Sequence, residues 1–282
     1  MTIIATPQTV TAVVEGLDHP ECVCVGSDGL LYAGGEAGQL WRFDGDGKGL
    51  VEVATTGGWL LGIAADGEGA VHVCDIKRHA VLRMGPDGVI TTRAAEVPLP
   101  NFPLFDARGD LYVSDSGDYW HATGTGRILV IRADGRVETF HSGPFRFANG
   151  LAWSTDGRWL VIVESRSGRL LRIPAERPEG PIEVFCQLPA ERVPDGVTAL
   201  DDGRYLVSCY TPDELWLVAA DGHPVCLMRD PTHELLVCPA NTVIHAGHIY
   251  VGNIGGWSIA RIPTPLRQAP THRPRGLHPG IA

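Results

Sequence analysis

Across 282 residues, 33 acidic side chains stand against 23 basic ones, for a formal charge of −10. With no block of Lys and Arg, this argues against a surface that reads nucleic acid or an anionic membrane, so no nucleic-acid or membrane partner is expected. A hydrophobic fraction of 44% beside 20% charged residues is that of a water-soluble globule with a sizeable core; the opening MTIIATPQTVTAVVEG lacks the build of a signal peptide and no run is long enough for a membrane helix, so a cytoplasmic protein is expected.

In chain order, the first apolar segment is TVTAVVE, a strand without a neighbour of its own. ECVCV, LLYAGG, QLWRF and LVEVATT follow, separated by turns such as GSDG and DGDGKG. The same order recurs as GIAAD, VHVCD, AVLRM and VITTRA, and again as GLAWS, LVIVES, LLRI and IEVFC. Each repeat carries one turn glycine, at Gly29, Gly69, Gly109, Gly157, Gly203 and Gly247, with steps of 40, 40, 48, 46 and 44 residues. That period is the length of a four-stranded propeller blade, and no long stretch has helical periodicity. The expected fold is therefore all-β, a single six-bladed β-propeller over residues 1–264. The last repeat stops after its third strand, so the N-terminal strand is expected to complete it and close the ring. Residues 265–282 are Pro-rich and basic without apolar periodicity, and read as an irregular, loosely packed tail.

Aligning the repeats on their glycines produces a column at the opening of each first strand: Glu21, Leu61, Asn101, Asn149, Asp195 and Asn241. The first strand of a blade lines the central channel, so these residues should meet near the axis. Two carboxylates brought together out of water, with no Lys or Arg in the column, repel one another and call for a cation. Oxygen donors suit a hard divalent ion, Ca²⁺ first and Mg²⁺ or Mn²⁺ next; Zn²⁺ and Fe²⁺ are further options. Asn and Asp also favour turns in Gly-rich loops, but a register kept in five of six repeats, including a Glu, favours the metal site. Leu61 then marks an apolar side of the channel. The seven cysteines lie mostly in apolar strands and read as reduced core residues. Trp153 and Trp159 likewise fall within strands.

Three stretches, HPE at 19–21, FANGLAWSTDG at 147–157 and VPDGVTALDDGRYLVSCY at 193–210, resemble the senescence marker protein, gluconolactonase and luciferin-regenerating-enzyme family. The resemblance implies a six-bladed propeller with one divalent metal, held by Glu21, Asn149 and Asp195, and often lactone hydrolysis. It also implies that Asp195 doubles as general base and that Asn101 lies close to metal or substrate. Sugar lactonases of the family usually carry Arg-x-Asn-Asp-Gly where this chain has Leu99-Pro100-Asn101-Phe102-Pro103, which favours a more apolar lactone or ester.

The expected partner is thus a small-molecule substrate, bound by a monomer or weak homo-oligomer. Candidates for the pocket wall are His19, Trp59, Tyr119, Trp120, His121, Tyr210, Asn241 and Trp257, and the insertion at 114–126 reads as a rim, a lid or a solvated hairpin tip. No Gly-x-Ser-x-Gly elbow, Walker loop or HExxH occurs. Two alternatives stay open. The same scaffold can serve phosphotriester hydrolysis or a strictosidine-synthase-like reaction, in which an unpaired acid, Glu164 or Asp115, would face a cationic substrate; or the ion is structural and the propeller only binds.

Overall fold

The computed structural model describes residues 9–118, 121 and 124–280. Six four-stranded antiparallel sheets are arranged as blades at residues 23–55, 60–94, 100–145, 148–187, 193–229 and 239–263. Among the described residues helix is confined to 3-10 turns, at Ser165–Ser167 and at Thr9. No helix is long and apolar enough to cross a membrane. The innermost strands are Val23–Val25, Leu60–Ala65, Pro100–Phe105, Ala148–Trp153, Val193–Ala199 and Pro239–His245. Each of the six repeat glycines has a positive φ, from 67° at Gly157 to 90° at Gly109, and turns the innermost strand into the second.

The N-terminal strand Thr11–Glu15 pairs antiparallel with Ser258–Pro263, from Thr11 opposite Arg261 to Glu15 opposite Ser258, and is the outer strand of the sixth blade. Val14, Leu17, Tyr250 and Ile259 then pack in one buried cluster with Val23, Leu31 and Phe43 of the first blade. Burying a side chain of this size contributes about 1.5–3 kcal/mol, so apolar contact adds to the strand ladder in holding the ring shut at this seam. The core otherwise lies between neighbouring blades, as where Val163 and Leu170 meet Val197 and Val207.

Residues 265–280 are irregular, as expected, but they are not loose. From the sixth blade they cross the end of the propeller where the innermost strands finish. The Gln268 side chain accepts from the Ile244 amide at 2.8 Å, Ala269 donates to Ala199 at 2.9 Å, and Arg273 reaches the carbonyls of Val25 and Gly26 at 3.0 Å each. Further on, Gly67 donates to Pro274 at 2.8 Å and His278 to Ala133 at 3.0 Å. Residues 268–273 line the far half of the channel, a cavity of about 1040 Å³ walled by the innermost strands of all six blades. Proline content hides this because the tail satisfies its polar groups on turns of other blades instead of in a ladder of its own.

Candidate functional site

All six column residues are buried, at 2–9% exposure. The placement of five of them follows from a shared irregularity, while Glu21 stands two residues before its strand. Strand pairing slips between Leu60 and Ile63, Pro100 and Phe102, Ala148 and Leu151, Pro194 and Val197, and Pro239 and Thr242. Each slip is a bulge that takes the column residue out of the ladder. The bulged backbone is satisfied by a serine of the second strand: Ser114 Oγ accepts from the Phe102 amide at 3.0 Å, and Ser208 Oγ from the Gly196 amide at 3.1 Å. The glycine after the column residue is explained by close approach. A Cβ on Gly150 would stand 2.8 Å from the Asp195 carbonyl oxygen, and one on Gly196 2.7 Å from that of Ala240. Asn-Gly and Asp-Gly are therefore interblade contacts at these positions, not turns.

Glu21 and Asp195 come together near the axis, although 174 residues apart in sequence. Burial, and then repulsion from Asp195, push the Glu21 carboxyl well above its ordinary value. Burial lifts Asp195 from 3.8 to about 7, against a hydrogen bond from Asn149 that lowers it. Asn149 also donates through Nδ2 to Ser165 Oγ at 3.1 Å. Its Oδ1 is left without a hydrogen-bond partner, as are the buried Oδ1 atoms of Asn101 and Asp195. Among the described residues no three His, Cys, Asp or Glu side chains gather into a metal-binding group. The column instead combines two carboxylates with amide oxygens, a donor set of hard oxygens that fits a divalent cation. Asn241 serves the ring closure: its backbone N and its Nδ2 donate to the Glu21 carbonyl at 3.0 and 3.3 Å.

Beside the column, between the second and third blades, lies a cavity of about 780 Å³ whose lining includes Trp59, Ile76, Pro98, Leu99, Asp115 and Arg127. Leu61 packs in the same apolar cluster as Ile76, Leu99 and Trp59. The His19 ring stands 5.9 Å from that of Trp59, and His19 Nδ1 is 3.3 Å from Glu36. Tyr210 hydrogen-bonds Cys238 next to the sixth blade's first strand. His121 is exposed and pairs with Asp118 at 3.1 Å, and Trp257 is 52% exposed. Tyr119 and Trp120 lie outside the described residues. Phe102 does not border this cavity; it packs between blades and lines the far half of the channel, so the apolar wall comes from Trp59 and Leu99.

Sequence reasoning missed a second set of buried carboxylates at the ends of the second strands and in the loops that follow. Asp75 accepts from the Trp59 and Arg78 amides at 3.0 Å each. Asp115 accepts from the Leu99 amide at 3.0 Å and pairs with Arg127 at 2.9 Å. Glu164 pairs with Arg169 at 2.6 Å, and Glu214 with Arg229 at 2.6 Å and Arg192 at 3.1 Å. These acids brace the loops entering each blade. Asp115 and Glu164 are thus not the unpaired acids considered above; their arginines stand 12 and 5 residues further on, at the start of the third strand, a signal the alternating pattern concealed.

Residues 100–251, just over half the chain, match the family model described as SMP-30/Gluconolactonase/LRE-like region. The chain belongs to this family. Four of its six column residues fall within the matched span. Among solved structures it resembles calcium-binding regucalcin from Agrobacterium tumefaciens, with a TM-score of 0.77, 16% identity and coverage of 93% of this chain and 95% of that one. It also resembles a gluconolactonase from Xanthomonas campestris, at TM-score 0.74, 16% identity and coverage of 91% and 89%. A luciferin-regenerating enzyme superposes at TM-score 0.74 with 15% identity and coverage of 93% and 99%. At such identities the likeness is one of fold. A search of curated protein sequences finds no match.

Proposed function

We propose that this family member is a divalent-metal-dependent hydrolase that opens a lactone ring at the column end of the channel. The observation that carries the reading is the pair of buried, mutually repelling carboxylates, one bonded to Asn149, in a column where buried oxygens of Asn101, Asn149 and Asp195 lack partners. Buried polar atoms without partners are costly, and a cation ligated by Glu21, Asn149 and Asp195, with Asn101 beside it, would satisfy them. The name of the Agrobacterium tumefaciens neighbour, a calcium-binding protein, supports Ca²⁺, and the gluconolactonase among the structural neighbours supports a lactone as substrate.

When bound, such an ion supplies Lewis-acid polarisation of a carbonyl and acidifies coordinated water. The chain's own part is proton transfer. Asp195 accepts a proton from the attacking water, the new C–O bond forms at the lactone carbonyl, and the ring ester bond breaks. The proton then passes to the departing ring oxygen, leaving a hydroxy acid. Asn149 holds the Asp195 carboxylate through their hydrogen bond, and Ser165 fixes the Asn149 amide in turn. The partner is a small molecule.

The test is hydrolysis of a lactone panel by chelated protein before and after restoring Ca²⁺, Mg²⁺, Mn²⁺, Zn²⁺ or Fe²⁺ singly. Activity that disappears with chelation and returns with one ion is the expected result. Activity indifferent to chelation would refute metal dependence, and melting-point loss without any hydrolysis would favour a structural ion. An extra acid for a cationic substrate has no support, because Asp115 and Glu164 are ion-paired.

A further inference from the structure

We infer that the cavity between the second and third blades takes a hydrocarbon substituent of the substrate, so that an alkyl- or aryl-bearing lactone is preferred to a polyhydroxylated one. This rests on the hydrolytic reading above and names its substrate class. The column is asymmetric about the axis. Its acids and the amide bonded to Asp195 come from the first, fourth and fifth blades, whereas the second blade contributes Leu61. Trp59 and Leu99 each stand two residues before a column position and share Leu61's apolar cluster. The cavity therefore lies against the same apolar cluster that holds Leu61 of the column.

The buried acid beside that cavity is already committed, and its cations lie toward water. Asp115 is occupied by the Leu99 and Gly117 amides at 3.0 and 3.1 Å and by Arg127 at 2.9 Å. His79 Nδ1 contacts the Pro98 carbonyl at 2.8 Å, and Lys77 is exposed to water. A row of hydroxyls laid against the wall of Trp59, Ile76, Pro98 and Leu99 would lose water and find few partners there, an unfavourable exchange. Methylene groups lose nothing by the same transfer and gain from leaving water. With about 780 Å³ available, the volume admits a chain of several carbons beside a lactone ring.

The experiment compares γ-butyrolactone, γ-hexalactone, γ-octalactone, γ-decalactone and δ-gluconolactone with the metal-reconstituted protein. In parallel, 5-alkyl-2-pyrrolidinones, lactams that resist hydrolysis, are titrated calorimetrically into the same protein. The expected result is a kcat/KM that climbs roughly threefold per added methylene over the first few carbons, and a lactam Kd that falls in step. Trp59→Ala should flatten both slopes and Trp59→Phe should restore most of them, which a misfolded variant would not do. A flat dependence on chain length, or a preference for δ-gluconolactone, would overturn the inference while leaving lactone hydrolysis intact. Lactam binding that tightens with chain length in a protein that opens no lactone would uphold the cavity's role and remove the hydrolytic reading. No hydrolysis of any lactone, together with lactam binding that does not change with chain length, would remove both.

Discussion

The two ends of the channel treat a buried aspartate in opposite ways. At the column end, Asp195 is raised to about 7 by burial, with one opposing hydrogen bond from Asn149. At the end crossed by the tail, burial would also raise Asp66, but the His72 side chain and the Glu68 and Ala70 amides outweigh it and hold the carboxyl below its ordinary value. Both side chains are out of water. What separates them is the number of donors around each, a histidine and two backbone amides at Asp66 against one side-chain amide at Asp195. A buried acid whose lone pairs are filled braces the fold, whereas one left short of donors is ready to bind a cation or move a proton.

The sharpest break of this comparison is Asp195→Ala, which should lower kcat/KM of the metal-loaded protein by about 10²–10⁴-fold, measured on the best lactone of the panel. Near-wild-type turnover would remove Asp195 from the chemistry. Next comes pH. In metal-free protein the native state holds a proton on Asp195 that the unfolded chain has already released, so this contribution is fully present below about pH 4 and is lost as pH rises through about 7. Stability of wild type relative to Asp195→Asn, from urea titrations, should therefore fall across that window by up to about 4 kcal/mol, and saturating metal should abolish the fall. A difference independent of pH would mean the carboxylate is solvated.

Asp66→Ala probes the opposite end and should cost about 3 kcal/mol of unfolding free energy while leaving kcat/KM of the folded protein unchanged. Lost activity with intact stability would reverse the assignment of the two ends. The smallest effect is expected for Arg273→Ala, which removes the contacts to the Val25 and Gly26 carbonyls. A loss of about 1 kcal/mol in the same titration is expected, with faster amide exchange in the tail.

Much of this architecture could be read before any coordinates. The six turn glycines, the missing strand of the last repeat and the column from Glu21 to Asn241 all follow from spacing, because each blade reuses one local pattern. Less could be read of what each acid does. Glu21, Asp75, Asp115, Glu164 and Asp195 are all acids beside apolar strands, and nothing local says that Asp115 meets Arg127 while Asp195 meets Glu21. The tail was equally opaque, since its hydrogen bonds end on turns of blades up to 248 residues away.

By itself, then, the amino-acid order determined the repeat, the number of blades and which residue types open each innermost strand, since strand periodicity and turn chemistry act over a few neighbours. The folded ring decided which carboxylates are satisfied, where the apolar cavity opens and how the tail crosses the far end of the channel. Those outcomes depend on donors and surfaces contributed by distant blades, and the energy of a buried charge is set by everything around it rather than by its place in the chain.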